Sequence, residues 1–569
     1  MPGVITKISG PTVVARDMRR SKMYNLVFVG EMKLMGEVIR IEDDRATIQV
    51  YEETDGLTLG GEIIDAGGPL CAELGPGLLS SIFDGIQRPL AGIAKEAGGI
   101  IPTGMTMPAL DRRKRWHFTP LMEPGREIGG GDVIGTIQET ASITHRVMIS
   151  TGVTGVIKEI RTGDMCLEDP VATLQDGTDI RPVQRWPVRR PRPFARKITS
   201  DVPFITGQRI IDTLFPVASG GSVIIPGGFG TGKTVLEQTL AKFARTDIII
   251  YIGCGERGNE IAEVLTRFPR LEDPYTGHPL MDRSTLIVNT SNMPVAAREA
   301  SIYTGITIGE YYRDMGYNVA VLADSVSRWA EAMREISGRL EELPGEEGFP
   351  MYLASRLAAF YERAGMVECI GHGGRKGSVT VCTALSPPGG DFSEPVTQSA
   401  LRVTGAMWAL DTHLARRRHF PAIHWGKSFS LYRLDAWFCK NIAADWPQLR
   451  GWLMALLQKD EELQDVVQLV GPDALQDQDR VVVEMGFLVR ENYLQQSPYS
   501  PEDAFCPMKK QYWMLKIFFK AYESALKELG EGHSMEEIFT TGRKVILADL
   551  KNIPGERFQE AAEEIIKGL

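Results

Sequence analysis

A few side chains in this sequence have the types and spacing that phosphate chemistry needs. Gly227-Gly228-Phe229-Gly230-Thr231-Gly232-Lys233-Thr234 fits GxxxxGK[ST], a phosphate-binding loop, and Val235 opens the helix-forming run behind it. A polyphosphate carries several negative charges, and glycines let backbone N–H groups approach its oxygens with no Cβ in the way. A following helix adds its unpaired N-terminal N–H groups. Lys233 then serves as a point charge for the outer phosphates and Thr234 as a hydroxyl for Mg²⁺. Asp324 ends the apolar run Val319–Ala323. In a doubly wound sheet ligands lie at the carboxyl ends of strands, so this acid is placed to hold the same metal. The other reading of Asp324 is a helix N-cap. Glu256 follows the run Ile248–Ile252 inside a glycine-bracketed loop. There a carboxylate can orient a water in line with a terminal phosphate, with Arg257 beside it offsetting the charge that develops. An acid after a strand is also often no more than a solvated turn.

The elements that must position these residues follow from hydrophobic patterning. Ser222–Ile225, Asp247–Ile252, Thr285–Val288 and Val319–Ala323 are short, nearly continuous apolar runs with helical stretches between them. That pattern predicts parallel strands covered on both faces, a doubly wound α/β domain over 191–430. Residues 1–70 alternate β-branched residues around turn signals such as Ser9-Gly10-Pro11 and predict a small β-barrel. Residues 71–109 read as a connecting segment and 110–190 as an inserted β-rich domain. That insertion closes in Trp186-Pro187-Val188-Arg189-Arg190-Pro191-Arg192-Pro193, whose prolines exclude a helix. The stretch reads as an extended, solvated linker at a domain boundary. From 431 to 569 apolar residues recur at helical spacing, with Trp452, Leu453, Leu456 and Leu457 in one set and Met514, Leu515, Ile517, Phe518 and Tyr522 in another.

Composition bounds the function. The 569 residues are 43% hydrophobic and 24% charged, ordinary globular proportions. A net charge of -10 argues against a nucleic-acid partner. The seven cysteines show no zinc spacing and read as reduced core thiols. The first residues lack the pattern of a signal peptide, and no run reaches the 18 or so apolar residues a spanning helix needs. Any work at a membrane would then need another subunit to hold the chain there.

Longer strings carry a family resemblance. They are Tyr251-Ile252-Gly253-Cys254-Gly255-Glu256-Arg257-Gly258-Asn259-Glu260, Ala323 to Ala332, Ser386 to Pro395 and Leu414 to Ala422, beside the loop Gly227–Thr234. With the insertion, they make the chain resemble, over essentially its whole length, the catalytic A subunit of a V-type or archaeal-type rotary ATPase. The resemblance implies ATP or ADP with Mg²⁺, Lys233 and Thr234 on phosphate and metal, Glu256 polarising the water and Arg257 on the γ-phosphate. It also implies Asp324 in the metal site, Phe420 stacking on adenine and Phe505 as a second aromatic wall. The implied partners are a non-catalytic B subunit that supplies an arginine finger in an alternating hexamer, central rotor stalk subunits, a peripheral stalk and a separate membrane sector moving H⁺ or Na⁺. The place of work would be the cytoplasmic face of a membrane. Thr231 stands where eukaryotic relatives often have cysteine. Two rivals share these features, a non-catalytic nucleotide-binding subunit of the same complex and a ring-shaped translocase for RNA or exported protein.

Overall fold

A computed structural model of the chain describes residues 2–98, 101–471 and 475–568. Residues 1, 99–100, 472–474 and 569, which fall in the expected barrel, connecting segment and helical tail, lie outside the described residues. The chain forms two compact units, one of residues 1–199, 246–385 and 398–403, the other of 200–245, 386–397 and 404–569.

The first unit opens with a closed barrel whose strands run, around the barrel, Gly3–Ser9, Thr12–Arg16, Arg45–Val50, Leu34–Glu42, Asn25–Val29 and Glu62–Pro69. Alternation does the work here. Ile5, Val13, Ala15, Val27, Val29, Val38, Ala46 and Ile48 all point inward and make one core. The insertion is two antiparallel four-stranded sheets. One is built on Val133–Gln138 paired with Thr144–Met148 and Trp116–Pro120. The other is built on Gly155–Ile160 paired with Ala172–Leu174.

The same unit holds a parallel sheet in the order Ser81–Phe83, Ser284–Thr290, Ile248–Glu256, Asn318–Asp324, Lys376–Leu385. The central strands are buried along nearly their whole length, as runs of Ile, Val, Leu and Ala must be when both faces are covered. One cover is the helix Val295–Asp314, buried at every residue except Arg298.

The arginine-rich stretch after the insertion corrects the solvated-linker reading. Gln184–Pro187 is a strand paired antiparallel with Cys71–Leu74. Beyond it Arg189 donates to both carboxylate oxygens of Glu37 in the barrel (3.1 and 2.8 Å) and to both of Glu299 (2.9 and 2.6 Å). Tyr24 and Tyr303 present ring faces to its guanidinium at 5.2 and 4.9 Å. Arg192 is buried against Asp314 (2.6 Å). Only Arg190 of the three stays exposed. The stretch is an electrostatic strap, because acids far away in sequence converge on it.

The second unit carries the strand Ser222–Pro226, parallel to Ala406–Met407, and then the helix Lys233–Phe243. Its tail is helical. Trp446–Val470, Asp477–Val489 and Met508–Gly530 bury Leu453, Leu457, Met485, Leu515 and Phe518. The two apolar sets read from the sequence meet here, with Trp452 and Tyr522 ring centroids 5.7 Å apart. No helix among the described residues is long and apolar enough to cross a membrane.

Candidate active site

In the second unit the phosphate loop joins a fully buried strand to a helix, the order its chemistry requires. Gly232 is the N-cap of that helix with φ of 87°, a left-handed conformation that side chains with a Cβ adopt at a cost. Lys233 folds back so that Nζ donates to the carbonyls of Gly227 (2.9 Å) and Gly228 (2.8 Å). Thr231 Oγ1 donates to the Gly228 carbonyl (2.8 Å) and braces the turn. Thr234 is half-buried in the first helical turn, while Phe229 and Val235 face outward.

A cavity of about 520 Å³ opens beside the loop. Gly230, Thr231, Gly232 and Val235 line it together with Phe420 and the segment Gln495–Ser500. The peptide between Phe420 and Pro421 is cis, and the Phe420 carbonyl accepts from Gln496 N (2.7 Å). One buried arginine holds the segment in place. Arg209 donates to the carbonyls of Tyr493 (2.5 Å) and Gln495 (2.6 Å) and to Asp503 Oδ1 (2.7 Å). The Gln496 side chain closes the arrangement, accepting from Arg209 N (2.9 Å) and donating to the Gly207 carbonyl (2.8 Å). Sequence reasoning misses this wall, and with it Tyr499, which lines the cavity and is 81% exposed. The segment has no periodicity and no motif, and its only sequence signal is a tyrosine near the expected aromatic. Phe505 is placed differently. Its ring stacks on Phe243 (5.8 Å) and crowds Gly207, so it is not among the residues lining the cavity.

The first unit carries the acids. In the parallel register Gly253 stands opposite Asp324, which puts Glu256 three residues further toward the carboxyl edge of the sheet. Asp324 is 2% exposed. Ser325, not Asp324, is the N-cap of the helix Val326–Arg339. Gly255 has a φ of 74°, and a Cβ there would meet Arg298 and Arg328 at 2.9 Å, so this turn admits only glycine without rearrangement. Its neighbour Glu256 is fixed through its carbonyl, which accepts from Ser291 N (2.9 Å). Burial first, then the charge of Asp324 and the hydrogen bond and charge of Glu260, push the Glu256 carboxyl up to about 8, and Arg328 opposes them. Sequence reasoning gives Glu260 and Arg328 no role of their own, since their effect depends on the first turns of two helices closing on one carboxyl. Arg257 is exposed at the N-cap of Gly258–Arg267. Cys254 is fully buried, and burial pushes its thiol up to about 12, which fits an inert core residue.

The order of domains agrees with known proteins. Residues 5–67 match the beta-barrel domain of the ATP synthase alpha/beta family, 107–189 its barrel-sandwich domain and 207–430 its nucleotide-binding domain. Residues 435–538 match the C-terminal domain of V and A type ATP synthase. The chain is 55% identical over 551 residues to the second A-type ATP synthase A subunit of Methanospirillum hungatei JF-1, covering 96% of this chain and 94% of that protein. The chain belongs to the A-subunit family of A- and V-type ATP synthases. The V-type ATP synthase alpha chain of Thermoanaerobacter pseudethanolicus is a second relative, 51% identical over 576 residues and covering 100% of this chain and 98% of that one. As a family member the chain is a nucleotide-binding, catalytic type of subunit, which sets the two rival readings aside. The assembled ATPase EscN of the type III secretion system of enteropathogenic E. coli shares the fold, with a TM-score of 0.64, 22% identity and coverage of 91% of this chain and 100% of that one. At that identity the likeness concerns fold alone.

Proposed function

We propose that this chain makes or hydrolyses ATP by in-line phosphoryl transfer, as the catalytic component of a rotary head coupled to H⁺ or Na⁺ movement in a membrane sector. The observation that carries the reading is the cavity shared by the phosphate loop and Phe420, whose 520 Å³ suits a nucleotide. In this reading the backbone N–H groups of Gly228–Thr234 and the Lys233 ammonium hold the phosphates, whose oxygens take the place of the carbonyls that Lys233 now contacts. Phe420 and Tyr499 flank the adenine, with Phe505 supporting the wall behind Gly207.

Thr234 and Asp324 would hold Mg²⁺, which would supply positive charge to offset that of the phosphates. Among the described residues no group of three or more His, Cys, Asp or Glu could hold a metal. Glu256 orients the attacking water and accepts its proton. Burial and the neighbouring acids raise the Glu256 carboxyl, which makes it a stronger base once it has ionised. Arg257 offsets charge on the γ-phosphate. A B subunit completes the site with an arginine, the helical tail works on a central stalk, and a peripheral stalk restrains the head at the cytoplasmic face of the membrane. No nucleic acid takes part.

A binding and turnover comparison tests the reading. The isolated full chain is expected to bind ATP yet turn it over poorly, and turnover is expected to rise once the B subunit joins. Robust turnover by a verified monomer, or no ATP binding at all, would contradict it.

A further inference from the structure

The nucleotide cavity receives a contribution from the far end of the chain. Lys551 and Asn552 line it, although the matched C-terminal domain ends at residue 538. They sit in the turn Leu550–Asn552, between the helices Thr541–Asp549 and Phe558–Gly568. This strap is fastened to the cavity wall by one buried cation. Lys510, 2% exposed, donates from Nζ to the carbonyl of Lys551 (2.8 Å) and to that of Glu502 (3.5 Å), and it lies over the Phe558 ring at 5.5 Å. Glu502 adjoins Asp503, the acid that Arg209 holds and that accepts from Ser497 N (2.7 Å). Strap and wall are therefore one tied assembly.

Two cations line the cavity besides His419, the exposed Arg418 and the half-buried Lys551. Arg209 answers Asp503. Burial draws the His419 imidazole below its ordinary range, so it is neutral near pH 7. Asn552 turns its amide back to Asp549 (3.4 Å). Lys551 is half-buried on the lining, and among the described residues no carboxylate stands within ion-pair distance of it. The phosphates already have a cation of their own in Lys233. Lys551 and Phe420 line the same cavity.

We infer that Lys551 is a nucleoside-reading residue, whose ammonium donates to acceptor atoms of the base or ribose of a nucleotide bound through the phosphate loop. The inference rests on the nucleotide reading above and adds a specificity contact from outside the matched domains. A donor of this kind also links nucleotide occupancy to the C-terminal strap, because Lys551 and the wall share Lys510.

The test uses the full chain with Mg²⁺, in wild-type, K551M and K551R forms, and measures ATP and tripolyphosphate as competitors of a fluorescent ATP analogue. Loss of one charge-assisted hydrogen bond corresponds to a weakening of about tenfold. K551M is expected to bind ATP about tenfold more weakly while tripolyphosphate, which has no base or ribose, is unchanged, and K551R is expected to recover most of the affinity. K551Q provides the same comparison should K551M lower the thermal midpoint. ATP affinity unchanged in K551M overturns the inference, and so does an equal loss for ATP and tripolyphosphate, which would put the ammonium on the phosphates. Failure of the wild-type chain to bind ATP is a different result, since it removes the nucleotide reading itself and this inference with it.

Discussion

Replacing Glu256 with glutamine should stabilise the chain, by an amount that depends on pH. The carboxyl is held at about 8 against an ordinary 4.5, first by burial and then by Asp324 and Glu260. Its folded-state value is raised, so the folded chain binds this proton more tightly than the unfolded chain. The stabilisation is complete below about 4.5 and is lost as pH rises toward 8. At 1.36 kcal/mol per tenfold, linkage puts the cost of the ionisable group at about 1 kcal/mol at pH 5 and about 5 kcal/mol at pH 9. Glutamine has nearly the same shape and no charge, so it removes the pH-dependent part. The assay is thermal or denaturant unfolding of the isolated chain, wild type against E256Q, from pH 5 to pH 9. The expected result is a small difference at pH 5 that widens steadily in favour of the variant. A difference independent of pH, or one that narrows as pH rises, would refute the claim that Glu256 is held protonated by its surroundings.

Three further outcomes follow from the same contacts. Arg189→Met should destabilise the chain by about 3–5 kcal/mol in urea unfolding, because Glu37 and Glu299 are left buried without their cation, and adding E37Q and E299Q should recover part of the loss. Arg209→Met should cost a similar amount, about 3–5 kcal/mol, and should also weaken ATP binding, since Asp503 and the Gln495–Gln496 wall lose their common donor. Phe420→Ala should weaken ATP binding by about 1–3 kcal/mol in a competition assay and leave tripolyphosphate unaffected, because stacking acts on the base alone.

The parts of the fold that sequence made legible are those governed by short-range rules. Alternation around Val13, Val38 and Ile48 announced a barrel, and near-continuous apolar runs at Ile248 and Val319 announced buried parallel strands. Asp324 was legible because an apolar run ending in an acid is itself a local pattern. What stayed hidden depends on partners distant in sequence. Arg189 and Arg192 looked like solvated charges in a proline-rich linker, because a charged residue carries no sign of the acid that will meet it; Glu37 lies in the barrel and Glu299 and Asp314 on a helix well over a hundred residues later. The cavity wall Gln495–Asp503 and the strap at Lys551 were hidden for the same reason, since irregular segments held by one buried Arg209 and one buried Lys510 leave no periodicity to read. The raised carboxyl of Glu256 likewise depends on Asp324 on the neighbouring strand and Glu260 in the first turn of the next helix. Phe505 shows a further limit. The family resemblance implied it as a second aromatic wall, whereas in the structure its ring stacks on Phe243 and is not among the residues lining the cavity.

The central claim is that Glu256 activates the water that attacks ATP. Its most direct test is steady-state ATPase activity of the assembled catalytic and B-subunit complex carrying E256Q, with ATP binding measured on the same preparation. Loss of a positioned general base typically costs a factor of about 10²–10⁴. The predicted result is turnover reduced by at least about a hundredfold with ATP still bound, and near-normal turnover in that complex would contradict the account.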